Sequence, residues 1–252
     1  MTNKLYVTIL AGGLGKRMKS DVPKVLHKVN NVPMIVRIIL EAKKLNPEKI
    51  IIVVGEYLKI IKAEINNYDV GNIEFALQEV PLGTGDAIKS TLYFFKDDMN
   101  INNIILNGDT PLLKYETIQY LYDNFIDNKN KLQITCIKLD NPHGNGRIVL
   151  NSKNEFQKIV EEKDCNEEER NIKLVNVGIY IASSEILLKY IPKIKNKNAQ
   201  KEFYLTDIVE LYKYGEKDLV GLCKLNENKI DEIYNVNTKE QLDFINKSYF
   251  NL

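Results

Sequence analysis

The chain has 252 residues, 44% of them hydrophobic and 27% charged, with a net charge of +1 at neutral pH. This is the composition of a soluble globular protein, and the balanced charge excludes a general polyanion binder, so no nucleic-acid partner is expected. No apolar run approaches the roughly 20 residues of a bilayer span, no leader pattern opens the chain, and Cys136, Cys165 and Cys223 form no CxxC pair; a cytoplasmic protein acting on small molecules, without membrane contact, disulfide framework or zinc site, is predicted.

The first element is a buried strand ending in the apolar run Leu5, Val7, Ile9 and Leu10, followed by Gly12, Gly13 and Gly15. A glycine-rich turn at a strand end suits a phosphate, because bare backbone amides can approach an anion; Lys16, Arg17 and Lys24 bring positive charge to the same place. An ordinary strand-to-helix turn with surface cations is the alternative. A Walker loop is excluded, since Leu10 stands where its first glycine belongs and Arg17 where Ser or Thr must follow the lysine. A dinucleotide fingerprint is excluded by Met18, too bulky for its third small position.

Helices are predicted over residues 34–45, 57–66, 84–95 and 115–128, alternating with strands over 50–54, 73–76, 103–107 and 133–138. Such alternation predicts a mostly parallel α/β sheet, with the loops after Leu10, Ala76 and Asn107 converging on one crevice. Beyond it come a glycine-rich turn at 143–146, hairpin strands at 147–150 and 156–161, a strand at 175–182, and a helix over 238–246 with Leu242, Phe244 and Ile245 toward the core. There is no hexapeptide ladder of the kind that builds a left-handed β-helix.

Two loops carry further chemistry. In Asn107-Gly108-Asp109-Thr110-Pro111 a carboxylate stands at a strand's end, placed either to hold Mg²⁺ or to cap the turn. In Gln78 to Ala87, QEVPLGTGDA, a side-chain amide able to pair with a base edge precedes glycines that let a flat ring approach, and Thr84 is also a candidate helix N-cap. His27 and His143 belong to no zinc-helix or nucleophile-elbow motif.

The segment 10–34, LAGGLGKRMKSDVPKVLHKVNNVPM, resembles the signature of the sugar-1-phosphate nucleotidylyltransferases, above all the uridylyltransferase domains of the bacterial N-acetylglucosamine-1-phosphate enzymes. The resemblance implies that Leu10, Ala11, Gly12, Gly13 and Gly15 hold the nucleotide while Arg17 and Lys24 act as catalytic cations on its phosphates. It implies that Gln78, Gly83 and Thr84 read a uracil, with Pro81 where many members carry a second Gln. Asp109 and Asn237, in the pair Val236-Asn237, become ligands of a Mg²⁺ cofactor. Three islands, GNGRI at 144–148, IVEEKD at 159–164 and NVG at 176–178, resemble acceptor-sugar motifs and assign Gly146, Glu161 and Asn176 to the sugar, with Val177 in place of the usual Thr. NAQKEFYLTD at 198–207 matches too, so the resemblance runs nearly the whole chain.

By that resemblance the fold is Rossmann-like, of the nucleotide-diphospho-sugar transferase type, with a smaller β-rich acceptor lobe. One domain spans 1–252, with a nucleotide-binding half at 1–140 and a sugar-phosphate half at 141–252. The implied partners are UTP and N-acetylglucosamine 1-phosphate, joined into UDP-N-acetylglucosamine with release of pyrophosphate. Alternatives are uridylyl or thymidylyl transfer to glucose 1-phosphate, and a catalytically silent nucleotide-sugar-binding regulator. Without a β-helix, no acetyltransferase activity is expected. The sequence leaves the oligomeric state open.

Overall fold

The computed structural model describes residues 4–216 and 219–251. In chain order the strands are β1 (Lys4–Leu10), β2 (Lys28–Val29), β3 (Val32–Pro33), β4 (Lys49–Val54), β5 (Ile73–Leu77), β6 (Ile101–Asn107), β7 (Leu132–Lys138), β8 (Arg147–Leu150), β9 (Phe156–Val160), β10 (Leu174–Ser183) and β11 (Gly221–Lys224). The helices are α1 (Met34–Lys43), α2 (Leu58–Ile65), α3 (Thr84–Lys89), α4 (Tyr115–Asp127), α5 (Glu167–Arg170), α6 (Ser184–Tyr190), α7 (Asp207–Glu216) and α8 (Lys239–Phe250).

One sheet takes nine of these strands. Its main path runs β11-β7-β10-β6-β1-β4-β5, with the β8–β9 hairpin attached to β10. All pairs along β6-β1-β4-β5 are parallel, and β10 alone runs against its neighbours β6 and β7. The mostly parallel α/β sheet read from the sequence is the fold observed.

Alternation along the strands decides which face each side chain meets. Val7 and Ile9 of β1 join Ile50, Ile52 and Val54 of β4 and the apolar faces of α1, α2 and α4. Tyr6, Ile51 and Val53 point the other way, into a second core with α3, α6 and α7. Burial on both faces explains why these strands are almost continuously apolar. Two exceptions pair with each other: Thr8 Oγ1 of β1 donates to Asn103 Oδ1 of β6 at 2.9 Å, deep in the sheet, while Asn103 Nδ2 has no hydrogen-bond partner among the described residues.

Register sets the site. Leu10 lies beside both Val53 and Asn107, and Val54 beside Leu77, so β1, β4, β5 and β6 end on one edge. Their following segments are then stitched together, with Ala11 N–H donating to Val53 O, Gln78 N–H to Val54 O and Gly108 N–H to Leu10 O.

Two helices depart from expectation. The helix predicted over 84–95 stops at Lys89 and resumes only as a short 3₁₀ turn at Leu92–Phe94. Ser90 and Thr91 donate their hydroxyls to the carbonyls of Ala87 and Ile88, both at 2.7 Å, competing with the helical backbone ladder. The last helix runs further than predicted, Lys239–Phe250, started by a capping box between Thr238 and Gln241. Helices α6 and α7 and strand β11 were not read from the sequence. Among the described residues, no helix is long and apolar enough to cross a membrane; Cys136, Cys165 and Cys223 are buried and unbridged.

Candidate active site

A cleft of about 590 Å³ opens where the sheet edge is lined by Leu10, Ala11, Gly12, Gly13 and Gly15 on one side and by Gln78, Gly83 and Thr84 on the other; Lys24, Asn107 and Asp109 form its floor. The crevice expected from the loops after β1, β5 and β6 is therefore present, and the eight residues assigned to the nucleotide share it.

The glycines differ in what they contribute. Gly15 alone of the loop's three glycines has a positive φ, 61°, and a Cβ there would meet Lys24 Cβ at 2.6 Å. Gly12 is constrained instead by approach, since a Cβ would lie 2.9 Å from Gln78 Oε1, whereas Gly13 has open space around it. Gly83, at φ 120°, is the actual N-cap of α3, which corrects the capping role predicted for Thr84. The Thr84 hydroxyl instead accepts from Leu205 N–H at 3.0 Å and ties α3 to the segment before α7.

Arg17 and Lys24 each sit in a short 3₁₀ turn. Lys24 Nζ lies 2.5 Å from Asp109 Oδ2 and 3.2 Å from Asn237 Oδ1, and Arg17 Nη2 donates to the same Asn237 oxygen at 2.9 Å. The two cations and the two oxygen ligands named from the sequence thus meet at one point, although they come from four separate segments. Asn237 is carried there because Val236, its neighbour, is buried against Met18, Val29 and Met34, while Val236 N–H donates to Asp109 O at 2.9 Å. Asn235 lines the cleft, and its buried Oδ1 has no hydrogen-bond partner.

The acceptor-side residues form a second group. Asn176 N–H donates to Gly146 O at 2.8 Å, and a Cβ at Gly146 would stand 3.4 Å from Glu161 Oε2. A register shift in β10 between Asn176 and Tyr180, with Gly178 at φ 78°, turns the Asn176 side chain back along the strand. There its Nδ2 donates to Tyr180 Oη at 2.7 Å and its Oδ1 accepts from Gly178 N–H at 3.1 Å. Gly178 packs against Asn107, joining this group to the floor of the cleft. Val177, where a Thr was expected, is buried in the core below.

Burial gives this side an unusual electrostatic character. Glu161 is raised above the ordinary carboxylate range by desolvation, despite the hydrogen bond it accepts from Thr206 Oγ1 at 3.0 Å. Asp207 is pushed up to about 6, first by desolvation and then by Glu210, Glu161 and Asp164. The loop is braced by an ion pair: Arg147, 1% exposed, reaches Glu162 Oε2 at 2.8 Å, and Gly144 N–H donates to the same oxygen at 2.9 Å.

Sequence reasoning missed Asn235, Glu202, Asp86 and Asp207. Asn235 was legible as the alternate partner of Asn237 across one apolar residue. The other three are acidic residues of a type usually found solvated; they lie within the segments QEVPLGTGDA and NAQKEFYLTD, but nothing in those segments set the carboxylates apart.

The chain belongs to the nucleotidyl transferase family, whose model matches residues 6–227. It is 51% identical over 97% of its length, and 96% of the relative's, to a protein of Acanthamoeba polyphaga mimivirus named "Probable UDP-N-acetylglucosamine pyrophosphorylase". The bifunctional protein GlmU of Trichodesmium erythraeum is 38% identical over 94% of this chain but only 50% of its own length, so the chain spans about half of that curated relative. Among solved structures, a Bacillus anthracis protein crystallised with a sucrose shares the fold at TM-score 0.73 and 19% identity, covering 96% and 94% of the two chains. HddC from Yersinia pseudotuberculosis, complexed with GMP-PN, does so at TM-score 0.67 and 20% identity, covering 97% and 99%.

Proposed function

We propose that this chain transfers the uridylyl group of UTP to N-acetylglucosamine 1-phosphate, forming UDP-N-acetylglucosamine and pyrophosphate in the cytoplasm. The observation that carries this reading is the meeting of Lys24, Arg17, Asp109 and Asn237 beside the cleft lined by the glycine loop and Gln78. One domain does this work, residues 1–140 binding nucleotide and 141–252 the sugar phosphate.

The acceptor's phosphate oxygen is already an anionic nucleophile, so no general base is needed and catalysis reduces to alignment and charge stabilisation. Arg17 and Lys24 supply that charge to the α-phosphate and to departing pyrophosphate. The glycine-loop amides orient the triphosphate, and Gly146, Glu161 and Asn176 hold the acetylated sugar so that its phosphate faces the cleft.

The residues present fit a Mg²⁺ cofactor. Asp109 and Asn237 offer hard oxygens, and the unpartnered Oδ1 of Asn235 lines the same cleft; magnesium takes few protein oxygens and completes its shell with phosphate and water. Bound by Asp109 and Asn237, the ion would supply Lewis-acid neutralisation of the substrates' phosphates.

Pyrophosphate release over a small grid of nucleotides and sugar phosphates tests the reading. Turnover should be highest for UTP with N-acetylglucosamine 1-phosphate, and silence across the whole grid would refute it.

A further inference from the structure

Gln78 is 5% exposed, and its amide nitrogen donates to Asp86 Oδ2 at 2.8 Å and to Gly83 O at 3.1 Å. Both hydrogens of the amide are used, and both partners, a carboxylate and a backbone carbonyl, can only accept. The orientation of this amide is therefore determined by chemistry: the flipped form would press Oε1 against two acceptors. Oε1 is left facing Gly12 at the cleft, where no hydrogen bond to it occurs among the described residues. The cleft wall thus presents a lone acceptor and withholds the donor.

Asp86 sits in the first turn of α3 and does not line the cleft. Its carboxylate reaches the ligand space only through Gln78. A pyrimidine with a protonated N3 can donate to Oε1, whereas cytosine presents a lone pair there and meets another acceptor. A site built to pair a polar group rejects the analogue that leaves its groups unpaired.

We propose that Asp86 is a positioning residue for base specificity, locking the Gln78 amide so that the cleft accepts nucleotides whose pyrimidine N3 carries a proton and rejects cytidine nucleotides. This rests on the uridylyl reading above. The rival role for Asp86 is purely structural, an acidic residue complementing the amino end of α3.

The two roles separate in one experiment. Binding of UTP and CTP is measured by calorimetry in Mg²⁺, together with kcat/KM for each with N-acetylglucosamine 1-phosphate, in wild type, Asp86→Leu and Asp86→Asn. Wild type should prefer UTP. Asp86→Leu should weaken UTP about tenfold, the value of one hydrogen bond's worth of discrimination, and lower the UTP-to-CTP ratio by about that factor or more, chiefly through KM. Asp86→Asn keeps an acceptor but also tolerates the flipped amide, and should lie between. A ratio unchanged in both variants, or equal losses for UTP and CTP alongside a lower melting temperature, overturns the positioning role while the uridylyl reading stands. A wild type without preference for UTP over CTP overturns both.

Discussion

Lys24 Nζ stands 2.5 Å from Asp109 Oδ2, and the same ammonium touches Asn237 Oδ1, so a lysine assigned to phosphate occupies the place where the two proposed metal oxygens converge. Both side chains of the ion pair are only 16% exposed, which keeps the interaction from being screened away. A divalent cation held by these oxygens would compete with the ammonium, and bound triphosphate would offer the lysine another anionic partner. Lys24→Met should therefore bind Mn²⁺ more tightly than wild type in the absence of nucleotide, while turnover falls about 10²-fold, the scale of one lost charge-stabilising group. Paramagnetic titration of Mn²⁺ checks the first half; weaker binding in the variant would contradict the competition.

Asp109→Asn is nearly isosteric and keeps the backbone contact to Val236, so its cost should fall on rate. We expect about 10²-fold or more loss of turnover at saturating Mg²⁺, with a melting temperature close to wild type. Near-normal turnover would remove Asp109 from the metal site.

The acetamido group should be what Asn176, Glu161 and Gly146 read. Asn176 is held on both ends of its amide, by Tyr180 and by Gly178, so it is presented in one orientation. Glucose 1-phosphate should be the poorer acceptor by about tenfold or more in kcat/KM, and Asn176→Ala should narrow the gap while UTP binding is kept. An unchanged ratio in the variant would exclude Asn176.

The ion pair between buried Arg147 and half-buried Glu162 braces the acceptor loop. Arg147→Met removes the charged partner of a carboxylate that also serves Gly144 N–H, and should cost roughly 1–3 kcal/mol of stability. Replacing both, with Glu162→Gln added, should recover part of that loss. Thermal unfolding of the three proteins decides it, additive losses being the contrary result.

Asp207 makes stability depend on pH. Its folded value, about 6, lies above the ordinary aspartate value of 3.8, so between those values the unfolded chain releases its proton first and stability falls as pH rises. Above that window the penalty is complete. Asp207→Asn should accordingly raise stability at neutral pH by roughly 1–3 kcal/mol, with the gain vanishing near pH 4. Equal gains at both pH values would point to another cause.

Much of this molecule was legible in its pattern of residues. Apolar runs that alternate with helical periodicity specified β1, β4, β5, β6 and β7 and the helices between them, because those elements follow from burial on both faces of a parallel sheet. The crevice followed as well, since right-handed crossovers bring the carboxyl ends of parallel strands to one edge. What local pattern could not encode was proximity across the chain: Lys24 meets Asp109 and Asn237 at separations of 85 and 213 residues. Competition at Ser90 and Thr91 broke a helix that periodicity extends, and Thr84 gave its hydroxyl to Leu205 rather than to its own helix. Asp86 reads as an ordinary helix carboxylate until the folded chain sets it against the buried amide of Gln78. Hydrogen-bond partners such as these are chosen by tertiary packing, which decides the polar groups that lose water and must find each other.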